Sequence, residues 1–154
     1  MRMGPRLGVD VGTARVGLAR CDREGLVATP LATLPRASAL ADIAQVAAQI
    51  EPLEIVVGLP LALSGRETAS TDDAKVFASQ LANLLSQPIR MVDERLSTVQ
   101  AAHRLRSAGK SSKKQKSVID QAAAVILLQH AIDAEKLGGV PPGHLVSVEE
   151  SDVQ

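Results

Sequence analysis

The stretch "RLGVDVGTARVGLA", residues 6–19, sets one carboxylate, Asp10, in a short apolar run with Gly8 and Gly12 two residues to either side of it. In an extended strand alternate side chains share a face, so Leu7, Val9 and Val11 point one way and Gly8, Asp10 and Gly12 the other. Asp10 therefore stands on a face cleared of neighbouring side chains. Glycine weakens a strand interior, and its usual compensation is close approach by a ligand or by another backbone. The competing use of the same residues is a tight connection at Gly12 that Asp10 braces. Residues 6–12 and 15–22 read as two strands joined by Gly12-Thr13-Ala14, and 26–34 as a third, which makes an antiparallel meander.

Beyond the meander the pattern alternates. Ser38 offers an N-cap to a helix whose apolar positions Leu40, Ile43, Ala44, Ala47 and Ile50 recur at the helical period and which Pro52 ends. "EIVVGLP", residues 54–60, is the continuous apolar run of a strand buried on both faces. A helix from near Thr71 presents Ala74, Phe77, Ala78, Leu81 and Leu85 to the core. "PIRMVDERLST", residues 88–98, is a strand ending in the adjacent acids Asp93 and Glu94, followed by Ser97 and Gln100 at capping-box spacing for a helix to about Ala108. The lysine-rich loop "GKSSKKQKS" leads into "SVIDQAAAVILLQHAIDAEKL", apolar around most of its circumference and so a helix enclosed by other elements. From Gly138 on, "GGVPPG" and an acidic end predict disorder. The expectation is one α/β domain over residues 1–137, a central mixed five-stranded sheet flanked by helices, with a disordered acidic tail at 138–154.

Composition narrows the function classes. At 154 residues the chain can bury a sizeable core without staples. With one Phe and no Trp or Tyr the core is aliphatic, and stacking of bases on aromatic platforms is nearly unavailable. The single Cys21 excludes an internal disulfide, is expected to pack at a strand end, and fits a reducing cytoplasm. No segment approaches the roughly 20 continuous apolar residues of a membrane span, so no membrane partner is expected. Net charge is zero, yet residues 90–116 carry a local balance of +6 and residues 117–154 one of −5. Such a basic segment is either a solvated face or an electrostatic footprint for nucleic acid.

Three further acids stand where their surroundings are apolar. Asp93 and Glu94 end a buried strand, and Asp120 falls in the first turn of the most apolar helix. Each has a local alternative: an ion pair with Arg95 for Asp93 or Glu94, a capping box with Ser117 for Asp120. Carboxylates from separate elements with no Cys or His cluster suit hard, oxygen-seeking ions such as Mg²⁺ or Mn²⁺, which also bind phosphate oxygens. Two such ions roughly 4 Å apart activate a water and stabilise the leaving oxygen of a phosphodiester. His103, His130 and His144 read as surface or packed residues.

"GVDVGTARVGLA", "IVVGLPL" with "VFASQLA", "VDERLST" at 92–98 and "VIDQAAAVILLQ" at 118–129 occur in an order that resembles the YqgF family, the RuvX-like Holliday junction resolvases and pre-16S rRNA nucleases, over roughly residues 6–135. The resemblance implies a ribonuclease H-like fold and a metal-dependent hydrolase acting on structured nucleic acid, with pre-16S rRNA 5′-end maturation favoured over branched-DNA resolution. By position it implies Asp10, Glu94 and Asp120 as catalytic, metal-holding acids, with Asp93 in reserve because strand alternation alone does not choose between Asp93 and Glu94. It matches Arg15 and Arg95 to basic motif residues, which either contact phosphate or form salt bridges. Ser97 and Thr98 read as helix-capping residues. Lys110, Lys113, Lys114 and Lys116 are expected to bind backbone phosphates without reading sequence. Junction resolution would require a homodimer. The rivals are a nucleic-acid-binding module without activity, and an ATP-binding lobe, since "GVDVGT" also resembles the first phosphate loop of actin-like and sugar-kinase ATPases; 154 residues accommodate only one such lobe.

Overall fold

The structure, a computed structural model, describes residues 1–100, 103 and 113–148. The opening meander forms as β1 (Arg6–Val11), β2 (Arg15–Cys21) and β3 (Ala28–Pro35), antiparallel throughout. Helix α1 (Ala39–Ile50) follows and stops where Glu51 turns left-handed at φ 52° ahead of Pro52. Strand β4 (Glu54–Leu59) returns parallel to β1, helix α2 (Ala69–Leu84) crosses over, and β5 (Ile89–Asp93) lies parallel to β4. Among the described residues, helix α3 (Lys113–Gly138) and β6 (His144–Leu145) follow, and the sheet is ordered β3-β2-β1-β4-β5-β6.

Three expectations change here. The sheet has six strands instead of five, because His144 and Leu145, in the stretch read as a disordered tail, pair antiparallel with Met91 and Arg90. Helix α3 already includes Lys113, so "KKQK" is helical and not a loop. Ser117 is therefore inside the helix, its carbonyl accepting the Thr33 hydroxyl at 2.8 Å, and Asp120 lies in the second turn or beyond instead of the first. Lysine and glutamine carry good helix propensity, which operates without any apolar periodicity. Helix α2 starts two residues earlier than expected, with Thr68 and Thr71 capping each other's backbone.

The period of two in β1 divides the core. Leu7 and Val9 join Val16, Leu18, Ile55 and Val57 under α1 and α2, where Ile43, Phe77 and Leu81 pack. The opposite face of the sheet meets α3 through Ala124, Leu127, Leu128 and Ile132. Gly8 and Gly17 of the opening stretch belong to this second contact. A methyl at Gly8 would lie 2.8 Å from Leu128 Cβ, and one at Gly17 would lie 2.1 Å from the Asp120 carbonyl oxygen. The cleared face thus admits a helix backbone, one of the two uses that glycine in a strand allows. No described helix is long and apolar enough to cross a membrane.

Candidate active site

Because β1, β4 and β5 run parallel, their C-terminal ends share one edge of the sheet, where open α/β sheets gather their ligands. Asp10 is the last but one residue of β1, and Glu94 opens a single 3-10 turn, Glu94–Leu96, directly after β5. Both carboxylates are buried, at 1% and 2% exposure. Between the two strands lies Gly58 of β4. A methyl there would sit 2.4 Å from Glu94 Oε1, so the missing side chain is the space that the Glu94 carboxylate occupies.

The third member of the cluster is His103. Its Nε2 lies 2.9 Å from Asp10 Oδ1, and its Nδ1 lies 3.8 Å from Glu94 Oε2. A carboxylate oxygen only accepts, so Nε2–H is the donor to Asp10, while the second distance is an electrostatic contact and too long for a hydrogen bond. One ligand atom from each of Asp10, Glu94 and His103 lies within 4.8 Å of the others, a grouping that could hold a metal ion. Two buried carboxylates so close repel one another unless a cation stands between them, and this donor set suits a divalent ion that accepts oxygen ligands and one imidazole. Reading His103 as a surface or packed residue missed this. Its signal was faint: a single histidine nine positions after Glu94, with no partner at ligand spacing.

The walls of the site are tied down. The Arg36 guanidinium donates to the Gly12 carbonyl at 2.9 Å and to both Asp73 oxygens at 2.8 and 2.9 Å, joining the β1–β2 turn to α2. That bridge holds the Asp73 carboxyl below its ordinary range. The Thr71 hydroxyl donates to the Pro60 carbonyl, and Gln100 Nε2 donates to the Leu61 carbonyl at 2.9 Å. A cavity of about 190 Å³ lined by Val11, Gly12, Thr13, Pro60, Ser70 and Asp73 reaches the cluster at His103.

Asp93 is turned to Arg95, whose Nη2 lies 2.7 Å from Oδ2 and whose backbone N–H donates to Oδ1 at 2.9 Å, and this contact lowers the Asp93 carboxyl from its ordinary value. The pairing of Asp93 with Arg95 assigns the two adjacent acids to different partners. Asp120, at 0% exposure, holds Arg15 Nε at 2.8 Å and lies outside the group formed by Asp10, Glu94 and His103. Both motif arginines are thus in ion pairs. Lys114 is exposed in α3 and Lys116 half-buried, one helical turn before Asp120. Lys110 lies outside the described residues, as does most of the helix expected from Ser97 to Ala108.

Known proteins extend this picture. The sequence model of the RuvX family, described as Holliday junction resolvase, matches residues 4–134. A protein of Clavibacter michiganensis subsp. michiganensis (strain NCPPB 382) named "Putative pre-16S rRNA nuclease" is 60% identical over 150 residues, covering 95% of this chain and 93% of the relative. Proteins of the same name from Leifsonia xyli subsp. xyli and Streptomyces coelicolor are 53% and 48% identical, over 95% and 96% of this chain and 96% and 91% of theirs. Among solved structures, Thermus thermophilus RuvC superposes with a TM-score of 0.51 at 17% identity, and the same protein in complex with a Holliday junction substrate with 0.57 at 16%, each covering 90% of this chain and 99% of the other. At those identities the likeness is one of fold, and the fold is ribonuclease H-like. With its four motifs in order and a family match over most of its length, the chain belongs to the RuvX family.

Proposed function

We propose that this protein is a divalent-metal-dependent nuclease that hydrolyses phosphodiester bonds of structured nucleic acid in the cytoplasm, with the 5′ end of pre-16S rRNA as its substrate. The observation that carries the reading is the convergence of buried Asp10 and Glu94 on His103 at the C-terminal edge of the parallel strands. Curated relatives at 48–60% identity named for pre-16S rRNA support the choice of substrate. Asp10, Glu94 and His103 would hold the ion, and the imidazole favours Mn²⁺ beside Mg²⁺. The ion, when bound, supplies an activated water and neutralises charge on the phosphoryl oxygens. The chain's own residues do the rest: Asp10 and Glu94 present fixed acceptors, His103 holds Asp10 in one orientation, and Gly58 leaves room for Glu94. Asp120 enters as a further acid through the exchange argued below. Lys113, Lys114 and Lys116 at the start of α3, together with Lys110, would meet backbone phosphates in a sequence-independent manner.

The test compares wild type with Asp10→Asn on a pre-16S rRNA fragment and on a four-way DNA junction, with Mg²⁺, with Mn²⁺ and with chelator. We expect metal-dependent cleavage of the RNA that the variant loses. Cleavage by the variant at the wild-type rate, or cleavage indifferent to chelator, removes the reading. The family's description favours a second reading, resolution of Holliday junctions, which needs paired sites in a homodimer. Cleavage of the junction alone, by a dimer, would select it.

A further inference from the structure

The Arg15–Asp120 pair has a position that the cation site does not explain. Gly17 is the cross-strand partner of Asp10, and the Asp120 carbonyl packs onto Gly17 so closely that no side chain fits between them. The backbone of Asp120 is therefore fixed one strand away from Asp10, about 5 Å in the pairing direction. Its side chain alone is left to choose a partner. Here the carboxylate is wholly buried and takes Arg15 Nε at 2.8 Å, whereas the Arg15 side chain is 23% exposed and lines an open cavity of about 420 Å³ with Ala14, Thr33, Leu34, Pro35 and Ser117. One partner is buried against the sheet; the other is partly exposed beside open space.

We propose that Arg15 is a placeholder cation on Asp120: a divalent ion and Arg15 compete for this carboxylate, and Arg15 gives it up in exchange for a substrate phosphate, so that this side chain couples ion loading to nucleic-acid binding. The inference rests on the reading of Asp10, Glu94 and His103 as a cation site. A buried carboxylate that loses a cationic partner is disfavoured, so Arg15 leaves most readily when another positive charge replaces it. A guanidinium in turn pairs with phosphate as well as with carboxylate, through the same planar fork. Neither exchange is favourable alone, and together they conserve every charge pairing. Linkage then makes the effect reciprocal: nucleic acid tightens ion binding by the factor by which the ion tightens nucleic acid.

The experiment counts Mn²⁺ ions per chain, and their affinities, by calorimetry and electron paramagnetic resonance, with and without a short RNA duplex. Wild type is expected to take one ion readily and a second whose affinity rises at least about 5-fold when the duplex is present. Arg15→Gln is expected to take two ions without RNA, with no further gain when RNA is added. An unchanged ion number with an unchanged RNA effect overturns the proposal, and so does an equal rise in the affinity of every ion, which removal of a charge alone would cause. Asp120→Asn, which keeps the side-chain shape against Arg15, carries the test should Arg15→Gln not fold: the RNA effect must vanish there, and its persistence refutes the coupling. Asp10→Asn separates the two levels, because undiminished binding of the first ion in that variant denies the cation site itself.

Discussion

Gly58→Ala exposes the reasoning most fully, because one added methyl meets one functional group. The new carbon would lie 2.4 Å from Glu94 Oε1 and 3.1 Å from both Cγ and Cδ, so the end of the glutamate has to withdraw. Relief to an ordinary separation requires a shift of about 1 Å, and a misplacement of that size at a reacting centre costs on the order of 10²-fold in rate. Stability should barely change. The group that yields is the far end of a flexible side chain, and replacing a strand glycine by alanine recovers about 0.5–1 kcal/mol of backbone entropy against a packing cost of similar size. Measured together, thermal melting within a few degrees of wild type and a loss of Mn²⁺-dependent cleavage and Mn²⁺ affinity are expected. Full cleavage and full affinity in a folded Gly58→Ala protein would refute the idea that Glu94 acts from the place it occupies here.

Gly17→Ala meets backbone instead of side chain, 2.1 Å from the Asp120 carbonyl, so α3 must move off the sheet; we expect a loss of about 3 kcal/mol or more in urea unfolding, at the upper end of overpacking costs. Glu135, gripped by Arg2 through side-chain bonds of 2.8 and 3.0 Å, has its carboxyl pulled down from an ordinary 4.5 to about 2. Because the folded value is the lower one, this stabilisation is fully present above pH 4.5 and is lost as the pH falls toward 2. Its size is on the order of 3 kcal/mol at about 1.4 kcal/mol per unit, and Glu135→Gln should flatten the acid limb of a stability-against-pH curve; an unchanged limb would contradict the assignment. Replacing Lys113, Lys114 and Lys116 by Ala should weaken RNA binding alike for all sequences and reduce the salt slope by about 1 for each phosphate that is no longer neutralised; altered sequence preference would count against it.

How far the sequence alone carried these conclusions depends on the range of the interaction. The alternation through Asp10, the apolar run at 54–60 and the strand pattern of 88–98 that ends in adjacent acids are local, and they became the strands that form the site's edge. The glycines at 8 and 12 announced a close approach without naming the partner, and at Gly8 it is α3. The choice of Glu94 over Asp93 came from family resemblance, since two adjacent strand-end acids look alike until a turn sends one to Arg95 and the other toward Gly58. His103 was invisible because its place beside Asp10 comes from tertiary docking, with the partner in β1 93 residues away in the chain. The β6 pairing was missed for a different reason: two residues are too few to show a period.

Ion binding by Asp10, Glu94 and His103 is the property on which the proposed chemistry depends. Anomalous diffraction at the manganese edge from crystals grown with Mn²⁺ tests it directly. The map should show a peak bonded to a carboxylate oxygen of each acid and to an imidazole nitrogen. A cluster with no peak at saturating Mn²⁺, or with the ion held elsewhere, would contradict it.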